Sequence, residues 1–221
     1  MDKQILDKRI YWITKKIHRL KSTIIDLQNT DVDDDPDNYE ELSHLANTEG
    51  EYLVLKLRDF IFNSGIGQRE MYLEKAAIAL GITIREDDGV IEIELPCLIP
   101  GRKIKATDFI IDPLYAVLSK FVSERQVPFE KFKHCAVCIT HVYDKAFMSK
   151  RRIRGYDNIE LRGIMNTINI FLLTDDSGLL CDYVNVNEIS DRDVTRITIM
   201  EKSRLYQWVM KFTNGQNYEQ K

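Results

Sequence analysis

The chain has 221 residues, 44% of them hydrophobic and 30% charged, and a net charge of −4. That length holds one sizeable core plus an appended element, the composition excludes disorder, and no apolar run reaches the roughly 20 residues of a membrane span. The charge is uneven: residues 1–100 carry a net −8 and residues 101–221 a net +4, so a nucleic-acid partner can be met only by a local patch in the second half.

The first element is helical. Leu6, Ile10, Ile13, Ile17, Leu20, Ile24 and Leu27 recur at alternating steps of four and three, a heptad seam held over three heptads. The acidic stretch 29–38, with Pro36, cannot continue it. That loop opens like a calcium-binding EF-hand, but Pro36 stands where the turn needs Gly and Leu42 where a bidentate Glu is required. It reads as a solvated turn. A second helical pattern covers 39–62, and so short a connection predicts an antiparallel helical hairpin that also suits a second copy. The start of the chain has no uninterrupted apolar core or cleavage site, so the expected location is the cytoplasm.

A short helix over 70–80 follows, then a β-hairpin around Asp87-Asp88-Gly89. Asp112-Pro113 predicts an N-cap with Pro at the first helical position. An apolar strand runs over 135–143. Cys135-x-x-Cys138 lies inside it, and a spacing of three on a strand puts the two on opposite faces. No zinc is expected there, and no nucleotide cofactor anywhere. With Cys97 and Cys181 these thiols read as small buried hydrophobes of a reducing compartment. His141 shares a face with Cys135, Val137 and Ile139 and reads as a core or rim histidine.

After the strand comes a basic loop, Lys150-Arg151-Arg152-Ile153-Arg154, then Gly155-Tyr156-Asp157-Asn158. A helix is expected over 158–172, then Asp175-Asp176-Ser177-Gly178 as a turn, strands over 179–186 and 194–200, and a last helix from a Ser203 cap through Phe212. Two carboxylate clusters on either side of one helix could converge on Mg²⁺ or Mn²⁺, hard ions that take oxygen ligands. Adjacent arginines would hold phosphate oxygens. Arg162, Asn166 and Asn169 share the polar face of that helix. The competing reading is structural: Asp157-x-x-Glu160 is a capping box and Asp175-Asp176-Ser177-Gly178 ordinary turn chemistry.

Strand, basic loop, Asp-Asn, helix, Asp-Asp-Ser, strand: this order resembles the RusA-like Holliday-junction resolvases over about residues 132–200. The resemblance implies a dimeric, Mg²⁺-dependent endonuclease acting on branched DNA. By position Asp157, Asp175 and Asp176 would be metal ligands, Asn158 would support the first, and Arg162 would stand in for a catalytic lysine. Gly155 replaces an aspartate of the family pattern and Asn166 another, which puts catalysis in doubt. Over its whole length the chain is similar to an uncharacterised family encoded on conjugative mobile elements of Gram-positive bacteria, through residues 151–160, 174–182 and 195–200.

The sequence therefore predicts an α+β protein: a helical hairpin over 1–65, then a mixed sheet with packed helices over 66–221. The expected function is that of a Mg²⁺-dependent nuclease-like or branched-DNA-binding protein. Lys150, Arg151, Arg152 and Arg154 would contact duplex or branched DNA, and Asp157, Asp175, Asp176 and Arg162 would carry any chemistry, with Asn158 and Asn166 supporting. The alternative is a non-catalytic interaction module that uses the heptad helices to bind a partner or form a homodimer. No membrane partner is expected.

Overall fold

The computed structural model describes residues 3–64, 69–99, 108–147, 153, 155, 156 and 159–215. The chain divides into two units, residues 1–71 and 72–221.

The first unit is a helical hairpin. Helix α1 spans Lys3–Asn29 and α2 spans Pro36–Ser64. Between them, Asp31 Oδ1 accepts the Asp33 N–H at 2.9 Å, and Asp35 Oδ1 accepts the Asn38 N–H at 3.4 Å. Asp35 thus caps α2, with Pro36 at its first helical position. The acids of this loop fold the turn. Midway along, Thr23 Oγ1–H donates to Glu49 Oε2 at 3.2 Å, and Arg19 pairs with the same carboxylate. The Lys16 amine lies 4.9 Å from the Tyr52 ring centroid. Contacts that advance on α1 as they retreat on α2 make the pair antiparallel.

The second unit is built on a five-stranded mixed sheet in the order β1-β2-β5-β3-β4. Helix α3 (Arg69–Leu80) leads into β1 (Thr83–Asp87) and β2 (Val90–Leu95); α4 is Asp108–Ser123, β3 Cys135–Asp144, α5 Arg162–Leu172, β4 Cys181–Ser190, β5 Val194–Glu201 and α6 Leu205–Gly215. The β1–β2 turn is Asp88-Gly89, both at positive φ (46° and 70°), as a two-residue hairpin requires. Strand β5 pairs antiparallel with both β2 and β3, while β3 and β4 run parallel. The parallel pair needs a crossover, and α5 supplies it.

The main core lies on one face of the sheet. Ile91, Ile93, Cys135, Val137, Ile139, Ile197 and Ile199 pack there against Ile110, Leu114 and Leu118 of α4 and Ile164, Ile168 and Leu172 of α5. The opposite face carries a smaller cluster of Ala136, Cys138 and Met200, against which Leu205 and Trp208 of α6 pack. Cys135 and Cys138 fall in different clusters, on opposite faces. All four cysteines are free, and three are buried.

Three helix starts differ from the sequence reading: α6 begins at Leu205, and Ser203, its expected cap, lies inside the 3₁₀ turn Lys202–Arg204 before it. Helix α4 begins at Asp108, so Pro113 lies inside it rather than at its first position. Ile110, fully buried, explains why: docking this residue ahead of the proline outweighs the lost backbone donor. Helix α5 begins at Arg162, not 158, and Leu161 at its N-cap makes no side-chain capping bond. The expected capping box of Asp157 and Glu160 is therefore not the start of this helix. Buried Ile159 and half-buried Leu161 anchor the approach to it instead.

Candidate functional site

The β3–α5–β4 unit carries Arg162, Asn166 and Asn169 on its helix and Asp175 and Asp176 after it. Helix α5 returns against the strands: its end is tied to the residues before β3, with the Phe132 N–H donating to Leu172 O and the Thr174 N–H donating to Phe132 O, both at 2.9 Å. Eleven helical residues cover about 16 Å. The start of α5 therefore lies toward the carboxyl ends of β3 and β4, and its end toward their amino ends.

At the amino end sit Asp175 and Asp176. Asp175 is exposed, and its Oδ1 accepts the Ser177 N–H at 3.3 Å; the Leu180 and Cys181 N–H groups both donate to Ser177 O at 2.9 Å. The turn reading of this stretch holds, with the second Asp175 oxygen outside that bond. Asp176 is half-buried, and its charge works against ionisation of Cys181 and Tyr183. Cys135 and Cys181 are cross-strand neighbours. A hydrogen bond that Cys135 donates to Cys181, together with burial, holds the Cys135 thiol far above the usual range. The bond with Cys135 is also the largest influence on Cys181, and there it lowers the pKa.

At the carboxyl end the strands leave a polar cluster on the α5 side of the sheet. His141 is 1% exposed; its Nε2 lies 3.3 Å from Asn185 Oδ1, and Tyr156 stacks on its ring at a centroid distance of 5.7 Å and 25°. Burial pushes the His141 pKa down, and the Asn185 bond partly offsets it. Asn187 is the direct cross-strand neighbour of His141. Six residues of strand, about 20 Å, separate His141 from Cys135.

The sequence-derived residues are placed as follows. Arg162 and Asn166 are exposed on α5, and Asn169, half-buried, shares their polar face. Gly155 and Tyr156 are exposed, and the chain between them and β3 leaves through a 3₁₀ turn, Lys145–Phe147. Lys150, Arg151, Arg152, Arg154, Asp157 and Asn158 lie outside the described residues. Among the described residues no three His, Cys, Asp or Glu side chains gather to hold a metal; Asp175 and Asp176 contribute two neighbouring carboxylates.

The His141–Asn185–Tyr156 cluster was not read from the sequence as a site. Its signal was present in β4, where Tyr183, Asn185 and Asn187 alternate at period two on the face that should have been apolar.

A family comparison matches residues 2–220. The chain belongs to DUF6100, a family of unknown function. No curated protein matches it. The structural likenesses include the periplasmic domain of Helicobacter pylori MotB, 10% identical with a TM-score of 0.33, covering 62% of this chain and 91% of that one. A further periplasmic domain of MotB is 12% identical at a TM-score of 0.31, covering 63% and 78%. At those scores neither carries an argument. Among the described residues no helix is long and apolar enough to cross a membrane.

Proposed function

We propose that this protein binds the phosphate backbone of duplex or branched DNA through the loop that leaves the carboxyl end of β3. The observation that carries the reading is the parallel β3–α5–β4 connection. In open sheets with such crossovers, ligands gather outside the carboxyl ends of the strands. The loop there bears Lys150, Arg151, Arg152 and Arg154 within five residues, and exposed Arg162 opens the helix that follows it. Arginine suits phosphate because its planar fork donates two parallel bonds and stays charged at every relevant pH.

We further read the chain as descended from RusA-like nucleases, in a cytoplasmic protein of a bacterial mobile element, with the carboxylates of that pattern parted. Asp175 and Asp176 follow the end of α5 while Asp157 precedes its start, so the neighbouring pair would hold Mg²⁺ or Mn²⁺ without Asp157. An ion there would supply activation of water, but Arg162, Asn158 and the loop cations belong to the other end of the helix, so cleavage of DNA held by the loop would be slow or absent. Titration calorimetry with MnCl₂ tests this. Asp175→Ala/Asp176→Ala should abolish binding, and Asp157→Ala and Gly155→Asp should leave it unchanged. No loss in the double variant with native circular dichroism would remove the metal from the account and leave DNA binding standing.

A second reading concerns the hairpin, as a surface for another protein. It is favoured by Ile10, Ile17 and Ile24, which occupy one line of α1 and are 46%, 45% and 47% exposed.

A further inference from the structure

The heptad seam of α1 is divided in the fold. Leu6, Ile13, Leu20 and Leu27 are half-buried toward α2, and Thr23 is fully buried between them. The other line of the seam, Ile10, Ile17 and Ile24, faces away, and Tyr11 and Ile25 beside it are also exposed. A seven-residue repeat of isoleucine on an outer helix face is the pattern that packs a second helix layer.

The charges of the hairpin are segregated along its length. Residues 1–21 carry seven Lys and Arg against two acids, and residues 22–55 carry ten acids and no Lys or Arg. At the open end, Arg9, Lys16 and Lys56 stand among Trp12, Tyr52 and Phe60 around a cleft of about 510 Å³ whose lining, among the described residues, holds no acid. The Lys16 and Lys56 amines lie 4.9 and 5.3 Å from the Tyr52 ring centroid. At the closed end Asp31, Asp33, Asp34, Asp35 and Asp37 stand exposed. From the level of Ile13 to Asn29 is about 24 Å of helix.

Resting on the interaction reading of the hairpin, we propose that its partner is a second copy of this chain, laid antiparallel. That arrangement sets the acidic closed end of each copy against the basic open end of the other, twice by symmetry. It also brings Ile17 of one copy level with Ile24 of the other and buries both. A parallel pair would set like charges together at both ends, which costs stability and rejects that alignment.

Sedimentation velocity of the full chain tests the proposal. The wild type should be a dimer at micromolar concentration, weakened at least tenfold by Ile17→Asp. Lys8→Glu/Lys15→Glu cuts the positive excess of residues 1–21 from five to one, and Asp33→Lys/Asp34→Lys cuts the negative excess of residues 31–37 from five to one. All four side chains are exposed, and circular dichroism checks that each variant stays helical. Each variant alone should dimerise more weakly than the wild type, and an equimolar mixture more tightly than either variant alone. Variants as tightly dimeric alone as the wild type, or a mixture that gains nothing over them, would overturn the antiparallel copy. A monomeric wild type would overturn it as well, and Ile17→Cys would then judge the underlying reading. Rapid thiol labelling at that position leaves the face open to a different protein; labelling as slow as that of a buried thiol ends the interaction reading too.

Discussion

Burial decides the chemistry of the residues at the carboxyl end of β3. His141 has a depressed pKa in the folded chain because it is buried, while its unfolded value is about 6.5. The unfolded state therefore takes up a proton that the native state resists. The stability this neutral histidine permits is present above about pH 6.5 and is lost as pH falls below that value, at no more than about 1.4 kcal/mol per pH unit. The melting temperature should fall between pH 7 and pH 5, and His141→Asn should flatten that part of the profile. An unchanged profile in the variant would assign the acid sensitivity to other groups. Cys138 and Cys97 follow the same logic. Burial pushes the Cys138 thiol up to about 12, and raises Cys97. With Cys135 and Cys181 buried as well, a thiol reagent at pH 8 should react slowly with native protein and with four thiols after denaturation. Fast native labelling of Cys138 would contradict its place under α6. The opposite faces of Cys135 and Cys138 were legible from their spacing alone. The partnership of His141 with Asn185 was not, because it joins residues 44 apart across a parallel pair.

Elements were legible where a period was clean and a turn residue bounded it. The β1–β2 hairpin could be read from Asp88-Gly89, and the helical hairpin from its seam and Pro36. What the seam could not tell was which of its two lines faces α2, since Leu and Ile serve either face equally well. The starts of α4 and α5 were missed because burial outweighed local signals: Ile110 is buried inside α4 ahead of Asp112-Pro113, and buried Ile159 precedes α5, which opens at Arg162. For α5 this predicts that its core face, not its cap, sets its stability. Ile168→Ala, at a fully buried position between α5 and the sheet, should cost about 2–4 kcal/mol. Glu160→Ala should cost under about 0.5 kcal/mol, as a half-buried residue that caps nothing in α5. Urea denaturation separates the two, and the reverse order would restore the capping box.

At the scale of the whole molecule, the sequence predicted an α+β chain with a separate helical hairpin, but not the strand order. Strand β5 inserts between β2 and β3 although about 100 residues lie between it and β2, and no local signal specifies such pairing. Among the described residues, every member of the two core clusters lies at or beyond Ala77. Residues 72–221 expressed alone should therefore melt cooperatively, and a non-cooperative melt would tie the sheet's stability to the hairpin. The proposed function rests on the polarity of the β3–α5–β4 unit, in which the chain leaves β3 at the carboxyl end of the strands and Asp175 and Asp176 sit at the other. The most direct test is the salt dependence of binding to a fluorescent four-way DNA junction, for the wild type and for Arg151→Ala/Arg152→Ala/Arg154→Ala. Each phosphate contact contributes about 0.9 to the slope of log affinity against log salt. The account predicts measurable wild-type binding, with the triple variant weaker at every salt concentration and its slope shallower by roughly 2 to 3. Equal affinity and equal slope in the two proteins, or no binding by the wild type at low salt, would contradict it.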